Sequence, residues 1–246
     1  MLWNERGGDG LNPTQAESLR DYSPATADGR YNLIMFSIEK GLDPLISAAD
    51  RALRTLISMP SAQRPSPAAA ISDNVLSPEE RRASIELMRV NRAGEISAQA
   101  LYRGQSVLAR SPETKRHLLQ AASEEQDHLA WCSQRLCELG GRASRLDPLW
   151  YAGSFLTGLA AGAGGDELSL GFVAETERQV EAHLEDHLSR LPQADTKSKA
   201  ILERMAEDEA HHGTTARLAG GVDLPLPVRS IMTLGGEILR RLALRV

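Results

Sequence analysis

The chain has 246 residues, of which 41% are hydrophobic and 25% are charged, and this is enough apolar material for one well-buried domain. A net charge of -5 and an aromatic content of 4% provide neither a basic field nor many stacking rings, which argues against nucleic acid as a partner. Cys132 and Cys137 lack the spacing of a zinc site or a disulfide framework and no secretory leader is evident, so we expect a cytoplasmic location.

The first 76 residues differ in composition from the rest of the chain. Residues 1–34 are polar and rich in turn-forming residues, which predicts a disordered tail. Residues 35–76 begin with an amphipathic stretch, interrupted near Asp43 and Pro44, and continue as a Pro- and Ala-rich segment. We interpret this second region as a short docking helix followed by a linker.

Regular helical signals begin at Ser77. Ser77, Pro78 and Glu80 supply the N-cap, the first-turn proline and the glutamate of a capping box, and the helix should continue to about residue 109. A second helix should begin after Ser111 and end at Gly140. Further helices are predicted over the apolar segment 149–165 and over about 166–191, 195–218 and 228–244. No segment alternates with a period of two, so residues 77–246 are predicted to form one all-α domain.

Two Glu-x-x-His sequences lie within these predicted helices, one from Glu125 to His128 and the other from Glu209 to His212. A spacing of three places both side chains of each pair on one helical face. A single such pair is usually only part of a solvated surface. Two pairs, each preceded by a helix that carries a further glutamate, indicate a pseudo-repeat.

The additional glutamates occur at nearly equal spacing. Glu95 lies 30 residues before Glu125, and Glu177 lies 32 residues before Glu209. Two helix pairs related by an approximate twofold axis would bring four carboxylates and two imidazoles into the centre of a bundle. The predicted metal ligands and catalytic residues are therefore Glu95, Glu125, His128, Glu177, Glu209 and His212.

The residue types in this set favour two divalent ions. Carboxylates neutralise and bridge such ions while one imidazole per ion adds a nitrogen donor, which fits iron or manganese better than zinc or an iron-sulfur cluster. A slip of one position would replace Glu125 and Glu209 by Glu124 and Asp208, although only the first choice gives both halves equal spacing. His183 is a candidate for a place beside the metal ligands or facing the substrate, with a surface position as the alternative.

Several motifs together resemble the demethoxyubiquinone hydroxylases of ubiquinone biosynthesis. They occur in the family's order between Ser77 and Val246, and the family usually has histidine where this chain has Arg92. The motifs are Asn91-Arg92-Ala93-Gly94-Glu95, Leu101-Tyr102-Arg103-Gly104-Gln105, Glu124-Glu125-Gln126-Asp127-His128-Leu129, Glu177 with His183, and Asp208-Glu209-Ala210-His211-His212.

The resemblance implies a ferritin-like four-helix bundle with additional short membrane-facing helices. It implies two iron ions on the six predicted ligands and a monooxygenase reaction in which dioxygen hydroxylates the ring of a polyprenylated methoxy-methyl-benzoquinol. The sequence indicates neither the external reductant nor which carboxylates bridge the ions. A homo-oligomer or a complex with other biosynthetic enzymes is compatible with it.

A bilayer-confined substrate predicts peripheral association with the cytoplasmic face of the cell membrane. The uncharged segment 149–165 is too short to span a hydrocarbon core of about 30 Å, so we expect it to lie in the interface with Trp150 and Tyr151 at headgroup level. An ordinary buried core helix is the alternative. The competing functions are a ferritin-like iron oxidase or store, another di-iron oxidoreductase, and a metal-free helical membrane scaffold.

Overall fold

The computed structural model describes Asp50, Thr55 and residues 59–244. The predicted tail over residues 1–34 lies outside this range, as does the predicted docking helix apart from Asp50 and Thr55, both of which are helical. Residues 59–244 contain six helices and no strand, as the sequence predicts for an all-α protein. They are α1 (Pro78–Leu108), α2 (Pro112–Glu138), α3 (Asp147–Ala163), α4 (Asp166–Arg190), α5 (Thr196–Leu218) and α6 (Leu226–Ala243).

The helix starts follow the capping signals of the sequence. Ser77 forms a complete capping box with Glu80 at the start of α1. Ser111 caps α2 by accepting a hydrogen bond from the Thr114 amide, and Asp195 caps α5 in the same way. These local interactions explain why the predicted boundaries agree with the observed ones to within about two residues.

Helices α1, α2, α4 and α5 form the bundle. Helix α1 packs along α2 and α4 packs along α5, while contacts of α2 with α5 and of α1 with α4 join the two pairs. Two apolar clusters fill the bundle at different levels. The first includes Leu87, Trp131, Leu184 and Met205, and the second includes Leu101, Leu118, Val173 and Ala216. On each of the four helices the predicted ligands fall between these two clusters.

Helix α3 packs very closely against α1. A Cβ atom at Gly158 would lie 2.1 Å from the carbonyl oxygen of Leu101, and one at Gly104 would lie 2.3 Å from the carbonyl oxygen of Phe155. Only glycine allows the two backbones to approach this closely. The inner face of α3 is therefore part of the core, as the buried-helix alternative predicts.

The opposite face of α3 is exposed and largely apolar, and α6 also exposes apolar side chains. Leu149 and Leu156 on α3 are 59% and 64% exposed, and Ile231 and Leu234 on α6 are 70% and 61% exposed. The prediction that Trp150 and Tyr151 lie at headgroup level is wrong for Tyr151, which is buried against Ile96, Ala100 and Leu129 because it falls on the inner face. Trp150 is half-buried and packs against the small cluster of Val90, Ala93 and Ala243.

Within the described residues, every helix is too short or too polar to cross a bilayer.

The segment before α1, predicted as a linker, makes specific contacts with the bundle. Asn74 donates to the carbonyl oxygen of Ala194 at 2.8 Å, at the start of α5. Asp73 accepts from the buried guanidinium of Arg135 at 3.0 Å. These polar anchors hold residues 59–77 against α2 and α5, and composition alone gave no indication of them.

Candidate metal centre

All six predicted ligands meet in the middle of the bundle. Glu95 comes from α1, Glu177 from α4, and the two Glu-x-x-His pairs come from α2 and α5. Their exposure ranges from 0% for Glu125 and His128 to 6% for His212. They form two groups, each with ligand atoms within 4.8 Å of one another: Glu95, Glu125, His128 and Glu209 in the first, and Glu125, Glu177, Glu209 and His212 in the second.

Glu125 and Glu209 belong to both groups, and each presents one oxygen to each histidine. Glu209 Oε1 lies 3.1 Å from His128 Nδ1, and Glu209 Oε2 lies 3.1 Å from His212 Nδ1. Glu125 Oε2 lies 3.4 Å from His128 Nδ1, and Glu125 Oε1 lies 3.5 Å from His212 Nδ1. The arrangement suits two bridging carboxylates between two ion positions.

Glu95 and Glu177 occupy the outer positions. Glu95 Oε2 lies 3.7 Å from His128 Nδ1, and Glu177 Oε1 lies at the same distance from His212 Nδ1. Each therefore accompanies one histidine only. The spatial arrangement repeats the pseudo-twofold relation seen in the sequence.

Several buried polar atoms of this centre lack a hydrogen-bond partner in the described part of the chain. They are both carboxylate oxygens of Glu125, Nδ1 of His128, Oε2 of Glu177 and Oε1 of Glu209. Buried polar groups are normally hydrogen-bonded, so a group of unpartnered acceptors facing one another requires an explanation. A pair of cations between them would satisfy these atoms, and the donor set therefore fits a dinuclear metal site.

Burial and neighbouring charge act strongly on the two outer carboxylates of the centre. Burial raises the pKa of Glu95 and of Glu177 well above the usual glutamate value, and the neighbouring carboxylates raise it further. Burial alone would lower the pKa values of His128 and His212, but the surrounding carboxylates that accept from their ring nitrogens, first Asp208 for His128 and Glu124 for His212, raise both. Bound divalent cations would displace protons from such a site.

The alternative ligands Glu124 and Asp208 contact the Nε2 atoms of the two histidines, not the Nδ1 atoms that face the six predicted ligands. Asp208 Oδ2 lies 3.0 Å from His128 Nε2, and Glu124 forms a short hydrogen bond with His212 Nε2. Each residue that precedes a ligand glutamate thus contacts the histidine of the other helix. Metal-binding histidines commonly donate their second ring N–H to a carboxylate, which leaves Nδ1 free for the metal.

Tyr102 also contacts the centre, and the sequence reasoning assigned it no role. Its buried hydroxyl donates a short hydrogen bond to Glu177 Oε1. Burial and the Glu177 carboxylate raise the tyrosine pKa well above its usual value, so the hydroxyl keeps its proton. Tyr102 follows Glu95 by seven residues, and this two-turn spacing could have placed it on the ligand face of α1.

His183 belongs to a different environment. Its ring lies against that of His187, with centroids 3.8 Å apart and ring planes inclined by 60°. Both histidines line a cavity of about 440 Å³ with residues of α4 and α6. His187 is buried and hydrogen-bonds to the side chain of Asn91 at 2.8 Å. Arg92, the position where the family usually has histidine, is buried and contacts Ser133 and Asp147.

Comparison with known proteins shows which family this chain resembles. The sequence profile of the ubiquinone biosynthesis protein COQ7 matches residues 82–242. The chain belongs to the COQ7 family. A relative from Variovorax paradoxus, named 3-demethoxyubiquinol 3-hydroxylase, is 54% identical over 205 residues, which cover 83% of this chain and 98% of the relative.

Further COQ7 relatives carry the same name. One from Xanthomonas euvesicatoria is 53% identical over 205 residues, covering 83% of this chain and 94% of the relative. One from Ralstonia pickettii is 51% identical over 216 residues, covering 83% of this chain and the whole of the relative. The family resemblance deduced from the motifs is thereby confirmed.

Proposed function

We propose that this chain is a 3-demethoxyubiquinol 3-hydroxylase that uses a di-iron centre and dioxygen to hydroxylate the ring of a polyprenylated methoxy-methyl-benzoquinol in ubiquinone biosynthesis. The observation that carries the proposal is the convergence of six buried carboxylate and imidazole side chains on two overlapping groups. The names of relatives at 51% to 54% identity support the substrate and the reaction.

In this proposal each half of the centre holds one ion. Glu95 and His128 would hold the first and Glu177 and His212 the second, with Glu125 and Glu209 bridging, as their positions suggest. Four carboxylates would balance the charge of two divalent cations. A bound iron pair supplies the redox chemistry that activates dioxygen.

The protein contributes orientation and a dry environment. The hydrogen bonds to Asp208 and Glu124 would keep both imidazoles turned with Nδ1 towards the carboxylates. The Tyr102 hydroxyl holds one oxygen of Glu177. Apolar clusters on either side of the centre exclude water, which strengthens every electrostatic interaction between them.

The exposed faces of α3 and α6 favour a lipid-borne substrate over soluble iron. Leu149, Leu156, Ile231 and Leu234 would be unusual as a solvated surface, whereas they suit a helix pair that rests in a membrane interface. Peripheral association with the cytoplasmic face of the cell membrane follows from this interpretation. An iron store would have no use for such a surface.

A turnover experiment tests the proposal. Iron-loaded protein, given a short-chain demethoxyubiquinol in detergent, dioxygen and a chemical reductant, should produce the ring-hydroxylated quinol, with one oxygen atom derived from isotopically labelled dioxygen. Metal-free protein is the control. Rapid oxidation of ferrous iron without any quinol product would instead support the iron oxidase.

A further inference from the structure

The segment that precedes α1 covers one half of the proposed centre only. We name residues 59–77 the cover segment. The backbone N–H of Gln63 donates to Asp127 Oδ1 at 2.6 Å, and the indole N–H of Trp131 donates to the carbonyl oxygen of Arg64 at 3.3 Å. Asp127 and Trp131 flank His128 on α2, so the cover segment lies directly over that histidine.

Arg64 connects this segment to two helices at once. Its Nε donates to Asp127 Oδ2 at 2.7 Å and its Nη1 donates to Asp208 Oδ2 at 2.8 Å. Its Nη2 lies 3.5 Å from His128 Nε2, and its guanidinium carbon lies 4.9 Å from the Trp131 ring. The planar guanidinium, with donors in a fixed fork, can hold both aspartates in one geometry, which a lysine could not.

The His212 half is built differently. Glu124, which contacts His212 there, has a side chain that is 33% exposed, against 10% for Asp208. Its other described hydrogen bond comes from Gln120, an exposed residue one turn away on the same helix. The two halves share a ligand pattern but differ in how firmly the carboxylate that contacts histidine Nε2 is held.

We propose that Arg64 is a positioning residue that acts through Asp208 on His128 and thereby makes the His128 position the tighter and more slowly exchanging of the two metal positions. The inference rests on the proposed dinuclear function and adds that the two metal positions differ in affinity and exchange rate. Asp208 fixes the ring of His128 only while it is itself fixed, and Arg64 holds the same Oδ2 atom that accepts from the imidazole.

The expected loss of metal affinity has a known order of magnitude. Replacing the partner of a metal-binding histidine typically weakens metal affinity about 10-fold to 100-fold. Arg64 stands one residue further from the metal position, and Asp208 keeps a second cation in Arg204, whose Nη2 donates to its Oδ1 at 2.6 Å. The loss of Arg64 would nevertheless leave Asp127 and the Oδ2 atom of Asp208 without their shared cation. The effect should fall mainly on the His128 position, because Arg64 hydrogen-bonds to the partner of His128 and reaches Glu124, the partner of His212, only through its charge.

Anaerobic titration with Mn²⁺, followed by the loss of the free-ion electron paramagnetic resonance signal, tests the inference. The wild type should bind two ions in two resolved steps. Arg64→Gln should weaken the tighter step by about 10-fold and leave the weaker step unchanged. Arg64→Lys should have an affinity for the tighter step that lies between those of the wild type and Arg64→Gln. Arg82→Gln, at an exposed position on α1, is the matched control and should behave as the wild type.

Rates of removal provide a second readout that does not depend on activity. A chelator should withdraw the two Mn²⁺ ions from the wild type in a fast and a slow phase, and Arg64→Gln should lose the slow phase. Equal weakening of both steps, or no change in either, would overturn the inference while leaving the proposed function intact. A wild type that binds no Mn²⁺ and no Fe²⁺ would overturn both.

Discussion

The middle level of the four-helix bundle, between its two apolar clusters, and the outer faces of α3 and α6 reverse the usual distribution of polarity. Glu95, Glu125, Glu177 and Glu209 lie at the centre of the molecule, and leucines and isoleucines lie on its surface. Buried carboxylates and exposed apolar side chains each cost stability in water. Both features fit the proposed metal centre inside the bundle and the proposed lipid contact outside it.

The largest effect is expected at the interior. Glu209→Ala should abolish binding of the ion pair and all hydroxylation, because it removes the oxygen presented to each histidine and leaves the remaining ligands unmatched. Metal content and turnover are the measurements. Glu203→Ala, on an exposed part of the same helix, should retain both. A Glu209→Ala protein with two irons and normal turnover would contradict the ligand assignment.

On the outer face of α3, added charge should weaken membrane binding. Leu149→Glu combined with Leu156→Glu should remove most binding to anionic liposomes in flotation, because both side chains are exposed and would have to enter the interface charged. Metal content should not change. Leu119→Glu combined with Leu218→Glu places the same charges on exposed positions of α2 and α5 and should still float. Identical flotation of the two double variants would argue against a membrane role for α3.

A smaller effect is expected where α3 joins the bundle. Gly158→Ala should reduce the free energy of unfolding by about 1–3 kcal/mol, because the new methyl group would overlap the Leu101 carbonyl oxygen. Gly153→Ala on the same helix meets nothing within 4 Å and should be neutral or slightly stabilising. Denaturant unfolding of metal-free protein separates the two. If Gly158→Ala were as stable as Gly153→Ala, the close approach of the helices would be wrong.

The remaining effect is absent at neutral pH and concerns the pair His183 and His187. Burial, together with nearby Arg240, lowers the pKa of His183 to about 4, and burial beside His183 lowers the pKa of His187 to about 2. The unfolded chain binds protons on both rings below about pH 6.5, while the folded chain resists them. The contribution of this pair to the free energy of unfolding is therefore fully present above that pH and declines as the pH falls towards 4.

Unfolding of the metal-free protein by denaturant at a series of pH values measures this decline. His187→Gln should make the dependence shallower, since one of the two rings that resist protonation is gone. His211→Gln, at an exposed position, should preserve the wild-type slope. A slope that is the same in all three proteins would show that other groups control the acid limb.

The fold was predictable because its signals are local. Ser77, Ser111 and Asp195 mark helix starts through contacts with residues only three positions away. The two Glu-x-x-His pairs also lie within single turns, so their shared face followed from helical geometry. The choice between Glu125 and Glu124 depended on helix rotation within the bundle, which packing decides.

Long-range contacts explain what the sequence did not reveal. Arg64 lies among prolines and alanines, and its partner Asp208 is 144 positions away, so no local pattern connects them. Tyr151 lies in the uncharged segment 149–165, whose inner and outer faces are both apolar, and periodicity could not tell which face meets α1. The Gly158 contact with Leu101 settles that orientation, but only in three dimensions.

The contact between Arg64 and Asp208 also has a consequence for the order of events during synthesis. Arg64 is made before any helix of the bundle, whereas Asp208, Glu209 and His212 emerge close together on α5. The cover segment must therefore wait for the last ligand-bearing helix, and closing so long a loop is entropically slow. While the ribosome is still making α5, the N-terminal helix pair carries Glu95, Glu125 and His128 without their closing partners. Loading of the proposed ion pair should consequently follow the synthesis of α5.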